Sequence, residues 1–141
     1  PGTAGALGGI LLSLAISRLT LSRQLIAISL LIIVAIPISE YGERLFESKD
    51  ASLIVADELL TFPLSALGLP VHQHPALLAG IFLGNRVFDW TKPPPASTVE
   101  SIPGGVGIVL DDVVASLFTL LIFTLGWRWW QRRTVNKPAE K

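Results

Sequence analysis

Two long apolar runs without a single charged side chain constrain what this chain can fold into. The first covers residues 24–39, and the second covers residues 113–127 and leads into a cluster of tryptophans and arginines. A helix crosses the hydrocarbon core of a bilayer with about 20 mostly apolar residues, and Trp and Arg side chains gather where such a helix leaves the core. The sequence therefore predicts a membrane-embedded helical protein.

The two runs belong to a set of five apolar segments, at residues 6–17, 24–39, 53–69, 75–83 and 106–130. These segments are longer than most strands and lack period-two alternation, so we expect helices. The shorter segments are expected to be oblique, re-entrant or buried by protein. We predict an all-α, compact bundle forming a single domain over residues 1–133, with charged loops at residues 40–51 and 85–107 and a polar tail at residues 134–141.

Composition excludes several kinds of site. Half of the 141 residues are hydrophobic, 16% are charged, and the formal net charge is zero. A chain without net positive charge has no general electrostatic attraction to nucleic acid, so no nucleic-acid partner is expected. The absence of cysteine excludes disulfides, thiol nucleophiles and zinc–thiolate sites. Because the chain also lacks methionine and begins at Pro1, we expect residues before Pro1 to be missing.

The acidic side chains are distributed unevenly along the chain. Apart from Glu140 in the tail, they fall within residues 40–58, 89–100 and 111–112. If the five apolar segments run alternately up and down, all of these windows lie at one end of the bundle. The opposite end then receives Arg18, Arg23, His72, His74 and the cluster of tryptophans and arginines. The order of the segments thus predicts one acidic end, where the interior acids share a site.

Two pairs of adjacent carboxylates stand inside apolar sequence. Asp57-Glu58 lies in the third segment, and Asp111-Asp112 follows the glycine-rich stretch 104–107. Neighbouring carboxylates in a medium of low dielectric constant repel each other, and one of them should protonate unless a cation is present. Mg²⁺ commonly binds one or two carboxylates together with water and phosphate oxygens. The alternative for each pair is a helix N-terminus, where the helix dipole favours acids.

A third motif, at residues 86–95, adds cations. It contains Arg86, Asp89 and Lys92, followed by three prolines that stop a helix and stiffen the chain. Lys92 offers a compact charge for a phosphate, whereas Arg86 and Asp89 could also form a simple surface ion pair at i,i+3. Together with the acids, the motif predicts a combined phosphate and metal site. His72 and His74 are expected to be loop or interface residues.

Four blocks in this order, at residues 1–7, 50–58, 86–95 and 103–115, resemble the phosphatidylglycerophosphatase A family. The resemblance implies a Mg²⁺-dependent bacterial membrane enzyme. Its reaction would hydrolyse the terminal phosphomonoester of phosphatidylglycerophosphate to phosphatidylglycerol and phosphate. Thr61 follows the Asp-Glu pair and Ser116 follows Ala115 where the family commonly has glycine, and we expect both to affect helix packing rather than ligands.

The resemblance also implies roles for individual residues. The catalytic and metal-binding set is Asp57, Glu58, Asp89, Asp111 and Asp112. The substrate-binding set is Thr3, Arg86, Lys92, Gly104 and Gly105. Attack by water with a carboxylate as general base is favoured over direct attack by an aspartate, because the sequence contains no DxDx[TV] pattern.

The resemblance implies a phospholipid substrate and a place in the bacterial inner (cytoplasmic) membrane, with the acidic end facing the cytoplasm. The Lys and Arg residues are distributed against this orientation, with four at the acidic end and seven at the other, whereas cytoplasmic loops usually carry the excess. Three alternatives stay open: a phosphatase for another phospholipid, a small cation transporter, and a non-enzymatic subunit whose acids pair with a partner's basic residues.

Overall fold

The computed structural model describes residues 2–46, 55–99 and 101–135. In these ranges the regular elements are all helical, which confirms the predicted all-α class. The elements are α1 (Gly2–Ile16), α2 (Leu21–Phe46), α3 (Ala56–Thr61), α4 (Pro75–Thr91), α5 (Ala96–Val99) and α6 (Gly105–Val135), with a 3-10 helix at Phe62–Ala66 directly after α3.

Helices α2 and α6 are the two that are long and apolar enough, by length and composition, to cross a membrane among the described residues. They have 26 and 31 residues. At about 1.5 Å per residue, α6 is roughly 45 Å long, close to the thickness of a bilayer with its headgroups. Helix α1 is apolar but shorter. This arrangement is compatible with the predicted membrane-embedded bundle.

The predicted loop beginning at Glu40 is wrong as far as Phe46, because α2 continues past it. Pro37 lies inside α2 without ending the helix, and its ring is on the exposed side. Beyond it, Arg44 donates to Glu40 at 2.8 Å in an i,i+4 pair, which supports a further helical turn. The rest of the predicted loop, residues 47–51, lies outside the described residues.

The third apolar segment is divided rather than continuous. Within it, α3 has six residues and gives way to the five-residue 3-10 helix, in which Pro63 occupies the first turn. Pro63 has no N–H to continue the α-helical hydrogen bonding, and the Thr61 hydroxyl donates to the carbonyl of Asp57 at 2.7 Å. The first part of the predicted segment, residues 53–54, lies outside the described residues.

Two helices extend into sequence predicted as loop or tail. Helix α4 continues to Thr91 instead of ending at residue 83, because Arg86 and Asp89 pair along its last turns at 3.1 Å. Helix α5 lies inside the same predicted loop. Helix α6 runs to Val135, past residue 134 where the polar tail was predicted to begin, and residues 136–141 lie outside the described ones.

The chain alternates between two ends of the bundle. Asp57 in α3 and Asp111 in α6 line the same cavity, whereas the His74 ring lies 4.7 Å from the ring of Trp127, much further along α6. The stretch from residue 57 to residue 74 therefore traverses most of the bundle. Its irregular backbone is enclosed by protein, since Phe62 and Val71 are fully buried, as irregular backbone at membrane depth must be.

Candidate active site

An acidic cavity of about 360 Å³ lies where α3, the end of α4 and the first turns of α6 meet. All five acids predicted from the sequence line it, so the predicted convergence of these side chains is confirmed. The lining also includes Lys92, which follows α4 directly. The full lining is Asp57, Glu58, Asp89, Trp90, Lys92, Ile108, Asp111 and Asp112.

Helix α6 supplies the adjacent pair Asp111 and Asp112 from its second turn. Neighbouring residues of a helix point about 100° apart, and both side chains border the cavity, which also receives side chains from α3 and α4, two elements that pack against α6. Both residues are buried, at 6% and 7% exposure. One carboxylate oxygen from each of Asp89, Asp111 and Asp112 lies within 4.8 Å of the others.

This trio fits a hard divalent cation. Oxygen ligands lie about 2.0–2.6 Å from Mg²⁺ or Ca²⁺, so oxygens on one ion are within roughly 5 Å of one another. Donors made up of carboxylates alone suit Mg²⁺, Ca²⁺ or Mn²⁺ rather than a softer metal. Three like charges at this spacing, two of them buried, also repel, and a bound cation would offset that repulsion.

Two basic side chains balance part of the acidic charge. The buried guanidinium of Arg86 lies between two carboxylates, 3.4 Å from Glu58 and 3.1 Å from Asp89. Lys92 donates to Asp111 at 2.7 Å while staying about a quarter exposed. Arg86 therefore connects α3 to α4, and Lys92 presents a cation at the mouth of the cavity.

Lys92 has an uncommon backbone conformation at the end of α4. It ends α4 with φ 40°, in the left-handed region, and its N–H donates to the carbonyl of Phe88 at 2.9 Å. A residue with a side chain pays about 1–2 kcal/mol for this conformation. The following prolines stop the helix at this point, and the turn directs the lysine toward Asp111.

Replacing Arg86 by glutamine is expected to destabilise the protein by about 3–5 kcal/mol, because buried carboxylates lose the cation between them. In EDTA, where no added metal substitutes for the arginine, the Tm in detergent should fall by about 10 °C or more. The matched control is Arg44→Gln, which removes an exposed ion pair and should cost well under 1 kcal/mol. Equal Tm losses for the two variants would contradict a buried bridging role for Arg86.

Sequence reasoning missed Glu40 as part of this region. Its carboxylate accepts the backbone N–H of Gly105 at 2.6 Å and holds the start of α6 against α2. The double glycine makes this possible, because Gly104 has φ +77° and a Cβ on Gly105 would lie 2.5 Å from the backbone nitrogen of Glu40. The available signal was a carboxylate placed directly after the apolar run of α2.

The remaining predicted substrate residues lie outside the lining of the acidic cavity. Gly104 and Gly105 pack against α2, and Thr3 is exposed at the start of α1. Their roles in binding substrate stay predictions. Helix α1 nevertheless approaches the site, because a Cβ on Gly5 would lie 3.2 Å from Glu58 Oε2.

A buried polar chain connects the three elements that carry the acids. Asn85 Nδ2 on α4 donates to Ser116 Oγ on α6 at 3.2 Å, and that hydroxyl donates to the carbonyl of Thr61 at 3.5 Å. Ser116 and Thr61, the two positions expected to affect helix packing, thus contact each other. Asn85 was not singled out from the sequence, where nothing marks its partner 31 residues away.

The fold and the cavity define a class of protein: a helical, membrane-type protein with a carboxylate site that suits a divalent cation and a phosphate ester. The sequence profile of the phosphatidylglycerophosphatase A family matches residues 1–127. The chain belongs to this family, and it is a lipid phosphatase. Membership of an enzyme family supports the catalytic interpretation over the transporter and subunit alternatives.

Two curated relatives cover most of the chain. A Bacteroides thetaiotaomicron protein named as a candidate phosphatidylinositol-3-phosphatase is 28% identical over 134 residues, which is 92% of this chain and 84% of that protein. The phosphatidylglycerophosphatase A of Escherichia coli K12 is 26% identical over 131 residues, which is 92% of this chain and 76% of that protein. No solved structure gives a significant match to this chain.

Proposed function

We propose that this protein is a Mg²⁺-dependent phosphatase that converts phosphatidylglycerophosphate to phosphatidylglycerol and phosphate. The observation that carries the proposal is the single cavity in which five carboxylates and Lys92 meet. The family and the Escherichia coli relative, which is named for this activity, support the choice of substrate.

The acids divide into two groups in this proposal. Asp89, Asp111 and Asp112 hold Mg²⁺, since their oxygens already lie within reach of one ion. The bound ion supplies charge that offsets the negative charge of the phosphoryl oxygens in the transition state. Asp57 and Glu58 are the other two acids that line the cavity, and we assign proton transfer to this pair.

The cations orient the phosphate. Lys92, at the mouth of the cavity, donates to a non-bridging phosphoryl oxygen, and Arg86 holds Glu58 and Asp89 in place from behind. Fixed donors aimed at developing charge are worth far more in a partly buried site than in water. A phosphate entering past the half-buried lysine therefore meets positive charge first and the carboxylate group second.

The bond changes follow from this arrangement. A water oxygen attacks phosphorus as a carboxylate of the Asp57-Glu58 pair takes up the water proton. The bond from phosphorus to the lipid oxygen breaks on the opposite side, and that oxygen gains a proton to become the free hydroxyl of phosphatidylglycerol. Phosphate leaves and the carboxylate loses its proton to solvent. Attack by an aspartate, giving an aspartyl-phosphate, is the competing route.

We place the protein in the bacterial inner membrane with the acidic end toward the cytoplasm. The two long apolar helices support a membrane location. In both helices the residues of the acidic region lie at the same end of the bundle. In α2 this residue is Glu40, which accepts the N–H of Gly105, and in α6 they are Asp111 and Asp112, which line the acidic cavity. One face of the membrane therefore holds the whole proposed site.

The test is phosphate release from phosphatidylglycerophosphate in detergent micelles by the purified full chain. We expect release with Mg²⁺, at least about 100-fold less in excess EDTA, and recovery when Mg²⁺ is restored, because loss of the ion removes several kcal/mol of transition-state stabilisation. Unchanged release in EDTA would overturn the metal-dependent mechanism. No release from this lipid would overturn the substrate assignment.

The Bacteroides relative, named for a phosphoinositide, favours a second candidate substrate. The same site chemistry would then release the phosphomonoester from phosphatidylinositol 3-phosphate. Comparing kcat/KM for the two lipids at equal mole fraction in the same micelles separates the candidates. A higher value for the phosphoinositide would replace our assignment while leaving the lipid phosphatase class intact.

A further inference from the structure

A cavity with a mixed polar and aromatic lining, called the polar cavity below, and an apolar groove meet at Trp127, at the end of α6 far from the acids. The polar cavity has a volume of about 820 Å³, and its lining includes Gln73, His74, Trp127, Trp130, Gln131 and Arg132. The apolar groove, about 390 Å³, is lined by Leu77 of α4 and by Ile122, Phe123, Gly126, Trp127 and Trp130 of α6. Neither takes part in the proposed phosphatase site.

The polar cavity has the chemistry of an anion site. Arg132 lines it, and the described residues contribute no acidic side chain to its lining. Two more arginines lie on the same turns of α6: Arg128 lines an adjoining cavity, and Arg133 stacks over Trp129 at 3.9 Å from the ring centroid. A cluster of arginines beside a membrane attracts anionic lipid headgroups.

Three aromatic rings form the wall of the polar cavity. The Trp127 and Trp130 rings stack with their centroids 4.9 Å apart, and the His74 ring lies 4.7 Å from that of Trp127. Tryptophan is favoured at the level of lipid headgroups, where one edge is wet and the other apolar. The aromatic wall therefore sets the height at which a headgroup would lie.

The apolar groove continues from this wall along α4 and α6. The groove is open beside Gly126, since a Cβ built there would have no neighbouring atom within 4 Å. Leu77, Ile122 and Phe123 supply apolar side chains along its length. A polar, positively charged cavity that opens directly into an apolar groove matches the two halves of a phospholipid.

We propose that this end of the protein binds an anionic phospholipid, with the phosphodiester headgroup in the polar cavity and an acyl chain in the apolar groove. Trp127 lies 15 residues beyond Asp112, about 22 Å along the helix, so one headgroup cannot occupy both cavities. The proposed lipid occupies the leaflet opposite the catalytic cavity. Lipid binding would also account for the arginines at this end, which are more numerous than expected for the side of the membrane opposite the cytoplasm.

The experiment uses quenching of tryptophan fluorescence by lipids with brominated acyl chains, in nanodiscs of unlabelled phosphatidylcholine. A Trp90→Phe background restricts the signal to the three tryptophans at this end. Brominated phosphatidylglycerol should reach half-maximal quenching at a mole fraction about fivefold lower than brominated phosphatidylcholine, since an interfacial arginine favours an anionic headgroup by about that factor.

Two variants and one control make the result decisive. Arg132→Gln should remove the preference for the anionic lipid, and Gly126→Leu, which fills the groove, should weaken quenching by both lipids. Arg23→Gln changes an exposed arginine outside the lining of the polar cavity and should keep the preference. Gly126→Leu is also made in the original chain, with Trp90 intact, and retained phosphatase activity of that protein shows that the variant is folded. Equal quenching by both lipids, or a preference that survives Arg132→Gln, would overturn the proposal.

Discussion

Replacing Asp112 by asparagine is expected to lower phosphate release at least about 100-fold while the helical fold persists. The variant loses one of the three carboxylates whose oxygens lie within 4.8 Å of one another. It also loses repulsion among those acids, so its Tm in EDTA should be no lower than that of the original chain. Mg²⁺ should raise the Tm of the original chain by mass action and raise that of the variant much less.

Glu43→Gln is the matched control for Asp112→Asn. Glu43 is a half-buried acid of α2 that does not line the acidic cavity. This variant should keep both phosphate release and the Mg²⁺-dependent rise in Tm. If Asp112→Asn behaved in the same way, Asp112 would have no part in a metal site, and the division of the acids proposed above would be wrong.

Replacing Gly105 by alanine is expected to destabilise the protein by about 1–3 kcal/mol and to lower activity with it. The new Cβ would lie 2.5 Å from the backbone nitrogen of Glu40 and would also collide with the carbonyl of Ile36. Backbone atoms cannot rotate away, so the start of α6 must move. Asp111 and Asp112 lie within two turns of that start and would move with it. The Tm should fall by about 5 °C or more.

The same helix provides the control for Gly105→Ala. Gly126 faces open space, and alanine is favoured over glycine in a helix by about 1 kcal/mol. Gly126→Ala should therefore keep full activity with an equal or higher Tm, as measured by thermal unfolding in the same detergent. A Gly105→Ala protein as stable and as active as Gly126→Ala would show that α2 and α6 do not approach each other this closely.

The sequence was sufficient to predict the all-α class and the meeting of the five acids, because both depend on order and spacing along the chain. Apolar runs are separated by windows of acids, and alternation alone brings Asp57, Asp89 and Asp111 to one end. No chemical detail of the fold was needed for that step. Which acid holds metal and which transfers a proton depends on side-chain placement, which the order of residues along the chain does not determine.

Helix boundaries are less predictable, because charged residues are typical of loops and also occur in the end turns of helices. The last turns of α4 contain Arg86 and Asp89. These charged side chains fit against the rest of the bundle because Arg86 forms ion pairs with both Asp89 and Glu58. The double glycine at residues 104–105 allows two interpretations from the sequence. Either a bound ligand or a neighbouring helix could lie so close to the backbone that a Cβ would not fit. The hydrogen bond between Gly105 and Glu40 joins residues 65 positions apart, and no local sequence pattern predicts it.

The depth of Asp111 and Asp112 within α6 has a consequence for how the enzyme meets its substrate. The two acids are the seventh and eighth residues of this 31-residue helix, about 10 Å from its end, which is the level of lipid headgroups when α6 spans the bilayer. A substrate lipid then reaches the cavity by lateral diffusion, with its acyl chains still in the leaflet. The encounter is two-dimensional, and turnover follows the surface density of the substrate among other lipids rather than its bulk concentration.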